Sequence, residues 1–197
     1  ATHAAEKIVQ LGGKVLTLSD SQGFIYDPHG IDQERIDWVK EHKTQRRGRI
    51  ADYADEFKGA TFTPGKTPWS VPCDVALPCA TQNELNGADA RMLVHNGCIA
   101  VSEGANMPTD LEGAHFFRDA RILYAPGKAG NAGGVAVSGL EMSQNSERRS
   151  WKESEIQQLL LDIMENIHSS CVAYGGAAGS DHIDYVRGAN IAGFKKV

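Results

Sequence analysis

Apolar and polar positions alternate along this chain with two periods, and the alternation predicts helices and strands in turn. The segment AAEKIVQLGG has apolar residues at helical spacing, and Gly12 or Gly13 is suited to end that helix. The segment IDQERIDWVKEHK predicts an amphipathic helix with Asp32 as its N-cap. Between them, KVLTL predicts a short buried strand, and SDSQGFIYDPHG is rich in turn residues.

The middle of the chain repeats this pattern of short apolar runs and helical segments. Strands are expected at ATFTPG, CDVALPCA, CIAVSEG and RILYAPG. Helices are expected at GRIADYADEF, ADARMLVHNG and TDLEGAHFFRDA, with Gly97 ending the second and Thr109 or Asp110 capping the third. From Asn131 to about Tyr174 the pattern is mostly helical. A last helix is expected to begin in IDYVRGANIAGFKKV, after a loop at GGAAGSDH.

Strands that alternate with helices predict an α/β fold, with a mostly parallel sheet and helices on both faces. In such sheets ligands bind at the carboxyl ends of the strands. The loops that follow the expected strands are rich in small and amide residues, which let a backbone approach a ligand closely. These loops are SDSQG, PCATQNE, EGANMPT and APGKAGNAGG.

Charge and composition narrow the classes of partner. A net charge of -5 gives no general reason to expect a nucleic acid, and no apolar run approaches the roughly 20 residues of a membrane helix. Four cysteines without a CxxC pair predict reduced thiols in a cytoplasmic protein, with a disulfide framework as the less favoured alternative. The seven histidines show no paired-ligand spacing, so no metal is expected.

Several long motifs resemble the second half of the hexameric glutamate dehydrogenases. They are LPCATQNEL, EGANMPT, APGKAGNAGGVAVSGLEMSQN and GANIAGF, and the resemblance covers essentially the whole chain in order. It implies oxidative deamination of glutamate to 2-oxoglutarate and ammonia, or the reverse, by hydride transfer with a nicotinamide dinucleotide. It also implies that residues 1–197 form a Rossmann-like dinucleotide-binding domain, in which residues 145–197 are a pivot and C-terminal helical segment.

The family's glycine fingerprint, with the strand leading into it, lies upstream of the residue at which this chain begins. The sheet is therefore expected to lack its first strand. We expect a fragment of a longer enzyme that is inactive alone, because the family's catalytic lysine and aspartate belong to its first domain. No catalytic residue is therefore predicted in these residues, and a natural short protein is the alternative. The resemblance implies a homo-hexamer for the full-length enzyme.

The resemblance also implies a cofactor site. Asp20 alone would favour NAD, but the form SDS resembles the NADP-dependent branch, and the basic run KTQRRGR follows downstream. We therefore expect NADP, with NAD less favoured, although a solvated basic face is the alternative for the run. The residues expected to contact the cofactor are Ser19, Asp20, Ser21, Lys43, Arg46, Ala80, Thr81, Gln82, Asn106 and Asn131.

The resemblance implies a role for each group of these residues. Ala80, Thr81 and Gln82 would lie along the adenosine and pyrophosphate path, although Thr81 is also a candidate helix cap. Asn106 would contact the ribose on the nicotinamide side, with a simple turn asparagine as the alternative. Asn131 would hold the nicotinamide carboxamide.

Two positions are expected to line the substrate pocket, Val135 and Ser138. The Ser138 hydroxyl would meet the γ-carboxylate of glutamate, unless it bonds back to its own helix. Lys128 is expected to be a solvated lysine. Glu103 is expected to be a structural partner for backbone groups, and we do not assign it as a general base.

Two rival functions stay open. The first is a related NAD-dependent dehydrogenase for leucine, valine or phenylalanine. Ser138 argues against it, because a hydroxyl suits a carboxylate-bearing substrate better than an apolar one. The second is a non-catalytic nucleotide-binding module, which the missing glycine fingerprint favours.

Overall fold

The computed structural model describes residues 1–177 and 179–196. The chain divides into two compact units. Unit 1 holds Ala1–Cys73 and His95–Gly97, and unit 2 holds Asp74–Val94 together with the described part of Cys98–Val197.

Unit 1 is built on a three-stranded antiparallel sheet. Its strands are β1 (Val15–Asp20), β2 (Gly23–Ile31) and β3 (Thr61–Pro64), in the order β1-β2-β3. The strands expected at KVLTL and ATFTPG are confirmed, but their pairing is antiparallel, so the expected parallel arrangement is wrong for this unit. The α/β class itself is confirmed by unit 2, described below.

The segment expected to be rich in turns is mostly strand β2. Ser19 pairs with Phe24 and Asp20 pairs with Gly23, so SDSQG forms the turn of a β-hairpin. The sequence predicted SDSQG as a loop after a strand of a mostly parallel sheet, but it instead joins two antiparallel strands. The sequence did not show β2 as a half-buried strand because a polar residue, Asp27, occupies one of its buried positions. Asp27 is buried with hydrogen bonds from Arg35 and the Tyr53 hydroxyl, which replace its lost water.

Helices α1 (Thr2–Gln10), α2 (Gln33–Thr44) and α3 (Tyr53–Glu56) complete unit 1, with short 3₁₀ turns at Ile50–Asp52 and Pro68–Ser70. Asp32 caps α2 as predicted, since its carboxylate accepts a hydrogen bond from the Arg35 amide at 3.0 Å. The main hydrophobic cluster of the unit consists of buried aliphatic residues and one tyrosine. Its buried members are Ala5, Val15, Ile25, Ile31, Ile36, Val39, Ile50 and Tyr53.

Unit 2 contains a three-stranded parallel sheet. Its strands are β4 (Val75–Ala76), β5 (Ala100–Ser102) and β6 (Leu123–Ala125), in the order β4-β5-β6. Helix α4 (Gly87–His95) joins β4 to β5, and α5 (Leu111–Asp119) joins β5 to β6. All three strands therefore send their carboxyl ends to the same edge, as the alternating pattern predicted.

Four helices follow the last strand: α6 (Gly127–Gly130), α7 (Ala132–Glu147), α8 (Glu153–Gly175) and α9 (Tyr185–Phe194). The mostly helical pattern expected after Asn131 is confirmed. Helices α8 and α9 approach so closely that a Cβ on Gly188 would lie 2.1 Å from the Cys171 carbonyl oxygen. Of the expected loop at residues 175–182, Gly175 belongs to α8 and Ala178 lies outside the described residues.

Neither a membrane-spanning helix nor a disulfide bond is present in the described residues. Within residues 1–177 and 179–196, no helix combines the length and apolar character needed to cross a membrane. All four cysteines are present as thiols, as the sequence analysis expected.

Candidate functional site

A crevice opens in unit 2 where β4 and β5 end. It has a volume of about 410 Å³, within the range of small-ligand pockets. The lining residues come from the two loops after these strands: Cys79, Ala80, Thr81, Gln82, Gly104, Ala105 and Asn106. The crevice thus contains four of the predicted cofactor contacts, which are small or amide-bearing and carry no charge.

Backbone hydrogen bonds hold these two loops together beyond the ends of the strands. The amides of Gly104 and Ala105 both donate to the Pro78 carbonyl, at 2.9 and 3.1 Å. Further along, the amides of Asn83 and Leu85 donate to the carbonyls of residues 107 and 108. The walls of the crevice are therefore fixed by backbone hydrogen bonds between the two loops.

Asn131 connects the third loop to the crevice. It lies at the junction of α6 and α7, where it is the C-cap of one helix and the N-cap of the next. Its side-chain Nδ2 donates to the Ala105 carbonyl at 3.0 Å and to Asn106 Oδ1 at 2.8 Å. Thr81 and Asn106 line one crevice, and Asn131 is bonded to Asn106, so three predicted residues are brought together.

This geometry fixes which atom of each amide faces which way. A carbonyl only accepts, so the Asn131 atom beside Ala105 O must be the NH₂ nitrogen. The second proton of that nitrogen then meets an acceptor, which must be Asn106 Oδ1. The pair consequently presents one acceptor, Asn131 Oδ1, and one donor group, Asn106 Nδ2.

Glu103, three residues before Asn106, is buried, with 3% of its surface exposed. It accepts hydrogen bonds from the amides of Thr109 and Gly127 and from the Tyr124 hydroxyl. The expectation that Glu103 serves backbone groups is confirmed. Burial raises the pKa of Tyr124, and the hydrogen bond to Glu103 raises it further, so the phenol remains a donor.

Sequence reasoning missed Glu84, which organises the loop that contains Thr81. Its carboxylate Oε1 accepts from the Ala80 amide at 2.8 Å. Burial raises the pKa of Glu84, although the hydrogen bonds from the amides of Ala80 and Thr81 lower it in part. The spacing TQNE matches the threonine-x-x-glutamate pattern of a capping box, and this signal would have pointed to Glu84.

The alternative role of Thr81 as a helix cap is wrong. Helix α4 begins at Gly87, six residues later, and its cap is Asn86. The Asn86 side-chain oxygen accepts from the amides of Ala88 and Asp89, while the Asp89 carboxylate accepts from the Asn86 amide. Thr81 is therefore exposed in the crevice with no capping role.

In unit 1 the structure places Asp20 and Lys43 in contact. Asp20 Oδ2 accepts from Lys43 Nζ and from the Ile50 amide, both at 3.1 Å, and Oδ1 accepts from the Gln22 amide at 2.9 Å. Burial raises the pKa of Asp20, but the hydrogen bonds from Gln22, Ile50 and Lys43 outweigh it, so the pKa lies below its usual value. Asp20 thus anchors Lys43 as a carboxylate.

The other predicted residues of unit 1 are less constrained. Ser21 is exposed at the hairpin turn, and Ser19 lies within β1. Arg46 forms an exposed ion pair with Glu41 at 2.8 Å. Arg47 follows in the left-handed conformation, with φ of 53°, where the chain leaves α2.

The predicted substrate-pocket residues lie on one side of α7. Val135 is 78% exposed. The Ser138 hydroxyl is also exposed and donates to the Gly134 carbonyl at 3.2 Å, which is the alternative that the sequence left open. Lys128 is exposed as expected, but its ammonium group donates to Asn190 Oδ1 of α9, so it has a protein partner.

The part of the chain that the structure describes lacks a cluster of metal-ligating side chains. No group of three or more His, Cys, Asp or Glu side chains there is arranged to hold an ion.

Comparison with known proteins places these features in a family. The family model for glutamate/leucine/phenylalanine/valine dehydrogenase matches residues 1–197. Over all 197 residues the chain is 58% identical to the glutamate dehydrogenase of Bacteroides thetaiotaomicron. It is 54% identical to an NADP-specific glutamate dehydrogenase of Salmonella typhimurium and 52% identical to an NAD-specific one of Bacteroides fragilis.

Each of these matches covers 100% of this chain but only 43 or 44% of the relative. The chain therefore spans less than half the length of the curated relatives it matches. A solved structure of glutamate dehydrogenase from Plasmodium falciparum superposes with a TM-score of 0.94 at 43% identity. That match covers 100% of this chain and 42% of the solved one.

Proposed function

This chain belongs to the glutamate/leucine/phenylalanine/valine dehydrogenase family, and we propose that it is the cofactor-binding half of a glutamate dehydrogenase. The proposed reaction of the whole enzyme is glutamate, NADP and water to 2-oxoglutarate, ammonia and NADPH. The observation that carries the proposal is the bonded pair Asn131 and Asn106 beside the crevice that contains Thr81. When bound, NADP supplies the hydride acceptor.

The residues of the crevice fit a nicotinamide nucleotide. Gly104 and Ala105 keep side chains out of the opening, and a Cβ on Gly104 would lie 2.4 Å from Cys79 Sγ. The hydroxyl of Thr81 and the amide of Gln82 suit sugar and phosphate oxygens. We propose that these two residues and Ala80 bind the adenosine and pyrophosphate part of the cofactor.

The asparagine pair fits the other end of the cofactor. Asn131 Nδ2 is held by two acceptors, so its Oδ1 faces outward as an acceptor for the NH₂ of the nicotinamide carboxamide. Asn106 Nδ2 is a donor suited to the adjacent ribose hydroxyls. This arrangement would fix which face of the ring meets the substrate, because an amide bonded on one side cannot rotate freely.

We propose NADP as the cofactor, with Ser19, Asp20, Ser21, Lys43 and Arg46 contacting the adenosine ribose and its 2′-phosphate. Relatives of this chain are named for NADP as well as for NAD, so the names alone do not select one. The support comes from Asp20, whose Oδ2 already accepts two hydrogen bonds and whose charge is paired with Lys43. An anchored lysine favours a phosphate more than a neutral hydroxyl.

We propose glutamate as the substrate, with Val135 and Ser138 lining its pocket. The Ser138 hydroxyl bonds to a helix carbonyl at 3.2 Å, and a serine in such a bond can rotate toward a carboxylate at small cost. For the longer protein we propose that residues 1–197 are the dinucleotide-binding domain and residues 145–197 its pivot and C-terminal segment. We propose a cytoplasmic homo-hexamer, which light scattering of the full-length enzyme would test.

A binding and turnover assay of the chain alone tests the proposal. NADPH fluorescence should change on titration with the purified chain, with an affinity higher than that for NADH. Glutamate and NADP together should give no sustained NADPH formation, because the proposed catalytic residues belong to the other half of the relatives. Sustained turnover would refute the assignment as a half enzyme, and absence of binding to either nucleotide would refute the function.

A further inference from the structure

We propose that Glu103 is a positioning residue, which sets the orientation of the Asn131–Asn106 pair and so selects the nicotinamide half of the cofactor. The inference rests on the proposed function, in which that pair contacts the carboxamide and its ribose. Glu103 itself contacts no proposed ligand, so its proposed role is to position the residues that do.

The hydrogen bonds of Glu103 join three segments of unit 2. Oε2 accepts from the Gly127 amide at 2.6 Å, and Oε1 accepts from the Tyr124 hydroxyl at 2.7 Å and from the Thr109 amide at 3.3 Å. One carboxylate thus ties the end of β5 to β6, to the start of α6 and to the residue just before the N-cap of α5. Charge-assisted bonds of this kind are among the strongest in proteins.

The bond to Gly127 belongs to a closed ring that contains both asparagines. Glu103 holds Gly127, and the Gly127 carbonyl accepts from the Asn131 amide at 2.8 Å. The Asn131 side chain then returns to Ala105 and Asn106, which follow Glu103 by two and three residues. A shift of Gly127 away from Glu103 would therefore move Asn131 relative to Asn106.

Gly127 is the part of the ring that leaves no room for a side chain. A Cβ there would lie 2.9 Å from the Ala105 carbonyl, 3.3 Å from Glu103 Oε2 and 3.4 Å from Asn131 Nδ2. The ring is packed as well as bonded, so it has little freedom to adapt when one member changes.

The chemistry of the ring requires a carboxylate at position 103. All three partners are positioned to donate, and a carboxylate only accepts. A glutamine has the same shape, but its NH₂ would face either the Gly127 amide or the Thr109 and Tyr124 donors. The change Glu103→Gln therefore exchanges one acceptor for a mismatched donor while leaving the volume nearly unchanged.

Affinities for two ligands distinguish a positioning role of Glu103 from a general effect on stability. NADPH carries both the nicotinamide half and the adenosine half. Adenosine 2′,5′-bisphosphate carries only the adenosine half, with one phosphate at the 2′ position and one at the 5′ position. Calorimetric titration of Glu103→Gln should show an affinity for NADPH reduced by about tenfold, from the loss of oriented hydrogen bonds at the asparagine pair. Its affinity for adenosine 2′,5′-bisphosphate should stay within about twofold of the parent, because none of the residues proposed to bind that half belongs to the ring.

Glu112→Gln is the matched control. Glu112 is an exposed glutamate of α5 paired with Arg91, and its amide variant should bind both ligands like the parent. If Glu103→Gln lowers the affinity for both ligands equally, or lowers neither affinity, the inference is overturned while the proposed function stays intact. A parent chain that binds neither ligand would refute the proposed function itself.

A second pair of variants applies if Glu103→Gln fails to fold. Gly127→Ala forces the ring apart. It should lower the affinity for NADPH and leave the affinity for adenosine 2′,5′-bisphosphate unchanged. Tyr124→Phe keeps the Glu103 to Gly127 bond and should bind NADPH within about threefold of the parent. If Gly127→Ala binds both ligands like the parent, the ring does not position the asparagines.

Discussion

Asn131 Nδ2 donates a hydrogen bond of 2.8 Å to Asn106 Oδ1, although the two residues are 25 positions apart in the sequence. The bond joins the loop after β5 to the helix junction after β6. It leaves one amide acceptor and one amide donor group beside a crevice of uncharged residues. This pairing is the geometric basis for assigning the nicotinamide end of the cofactor to unit 2.

Asn131→Asp should weaken NADPH binding by about tenfold or more. The aspartate keeps the shape but cannot donate to the Ala105 carbonyl, so two acceptors would face each other. Isothermal titration calorimetry measures the change, with Asn145→Asp, an exposed position of α7, as the control. An unchanged dissociation constant in Asn131→Asp would contradict the role of the pair.

Lys43→Ala should lower the affinity for adenosine 2′,5′-bisphosphate by about tenfold, since a charge-assisted hydrogen bond contributes about 1.5–3 kcal/mol. Its affinity for adenosine 5′-monophosphate, which lacks the 2′-phosphate, should change little. Lys66→Ala removes another exposed lysine of unit 1 and controls for net charge. An equal loss of affinity for both nucleotides would show that Lys43 does not bind the 2′-phosphate.

Gly188→Ala should destabilise unit 2 by about 1–3 kcal/mol, because the added Cβ would lie 2.1 Å from the Cys171 carbonyl oxygen. Gly193→Ala is the control in the same helix. Among the described residues, no heavy atom outside the local helix backbone lies within 4 Å of a Cβ at that position, so alanine should be neutral or stabilising by up to about 1 kcal/mol. Urea unfolding followed by circular dichroism compares the two, and equal midpoints would contradict the close packing of α8 and α9.

Tyr124 should make the stability of unit 2 fall at alkaline pH. Burial and the bond to Glu103 raise the pKa of Tyr124 on folding, so the native state keeps a proton that the unfolded state loses. Its contribution is complete below the ordinary tyrosine pKa of about 10 and is lost as pH rises above it. Tyr124→Phe should flatten the decline of melting temperature between about pH 10 and 11, and an identical slope in variant and parent would contradict this.

Local sequence signals predicted most of the helices and the parallel strands. Asp32 and Asp110 cap their helices as expected, because a cap depends on residues within one turn. The strands CIAVSEG and RILYAPG are recognisable because apolar runs end there in polar or glycine residues. The α/β class follows from the order of these elements.

Long-range partners explain what the sequence did not reveal. Strand β2 contains Asp27 and Pro28, which indicate a turn. Hydrogen bonds from Arg35, the Tyr53 hydroxyl and the His29 amide make burial of that carboxylate acceptable. Whether β1 pairs parallel or antiparallel depends on the strand beside it, which local pattern does not specify. The role of Glu103 toward backbone amides was expected, but its hydrogen bond from the distant Tyr124 hydroxyl was hidden because the two residues lie 21 positions apart.

Backbone and side-chain amide NMR of the ¹⁵N-labelled chain during titration with NADPH tests the central claim most directly. We expect saturable shifts at the amides of Ala80, Ala105 and Asn106 and at the side-chain NH₂ groups of Asn106 and Asn131. Saturable shifts at other residues that leave these signals unmoved, or no shifts at millimolar NADPH, would contradict the account.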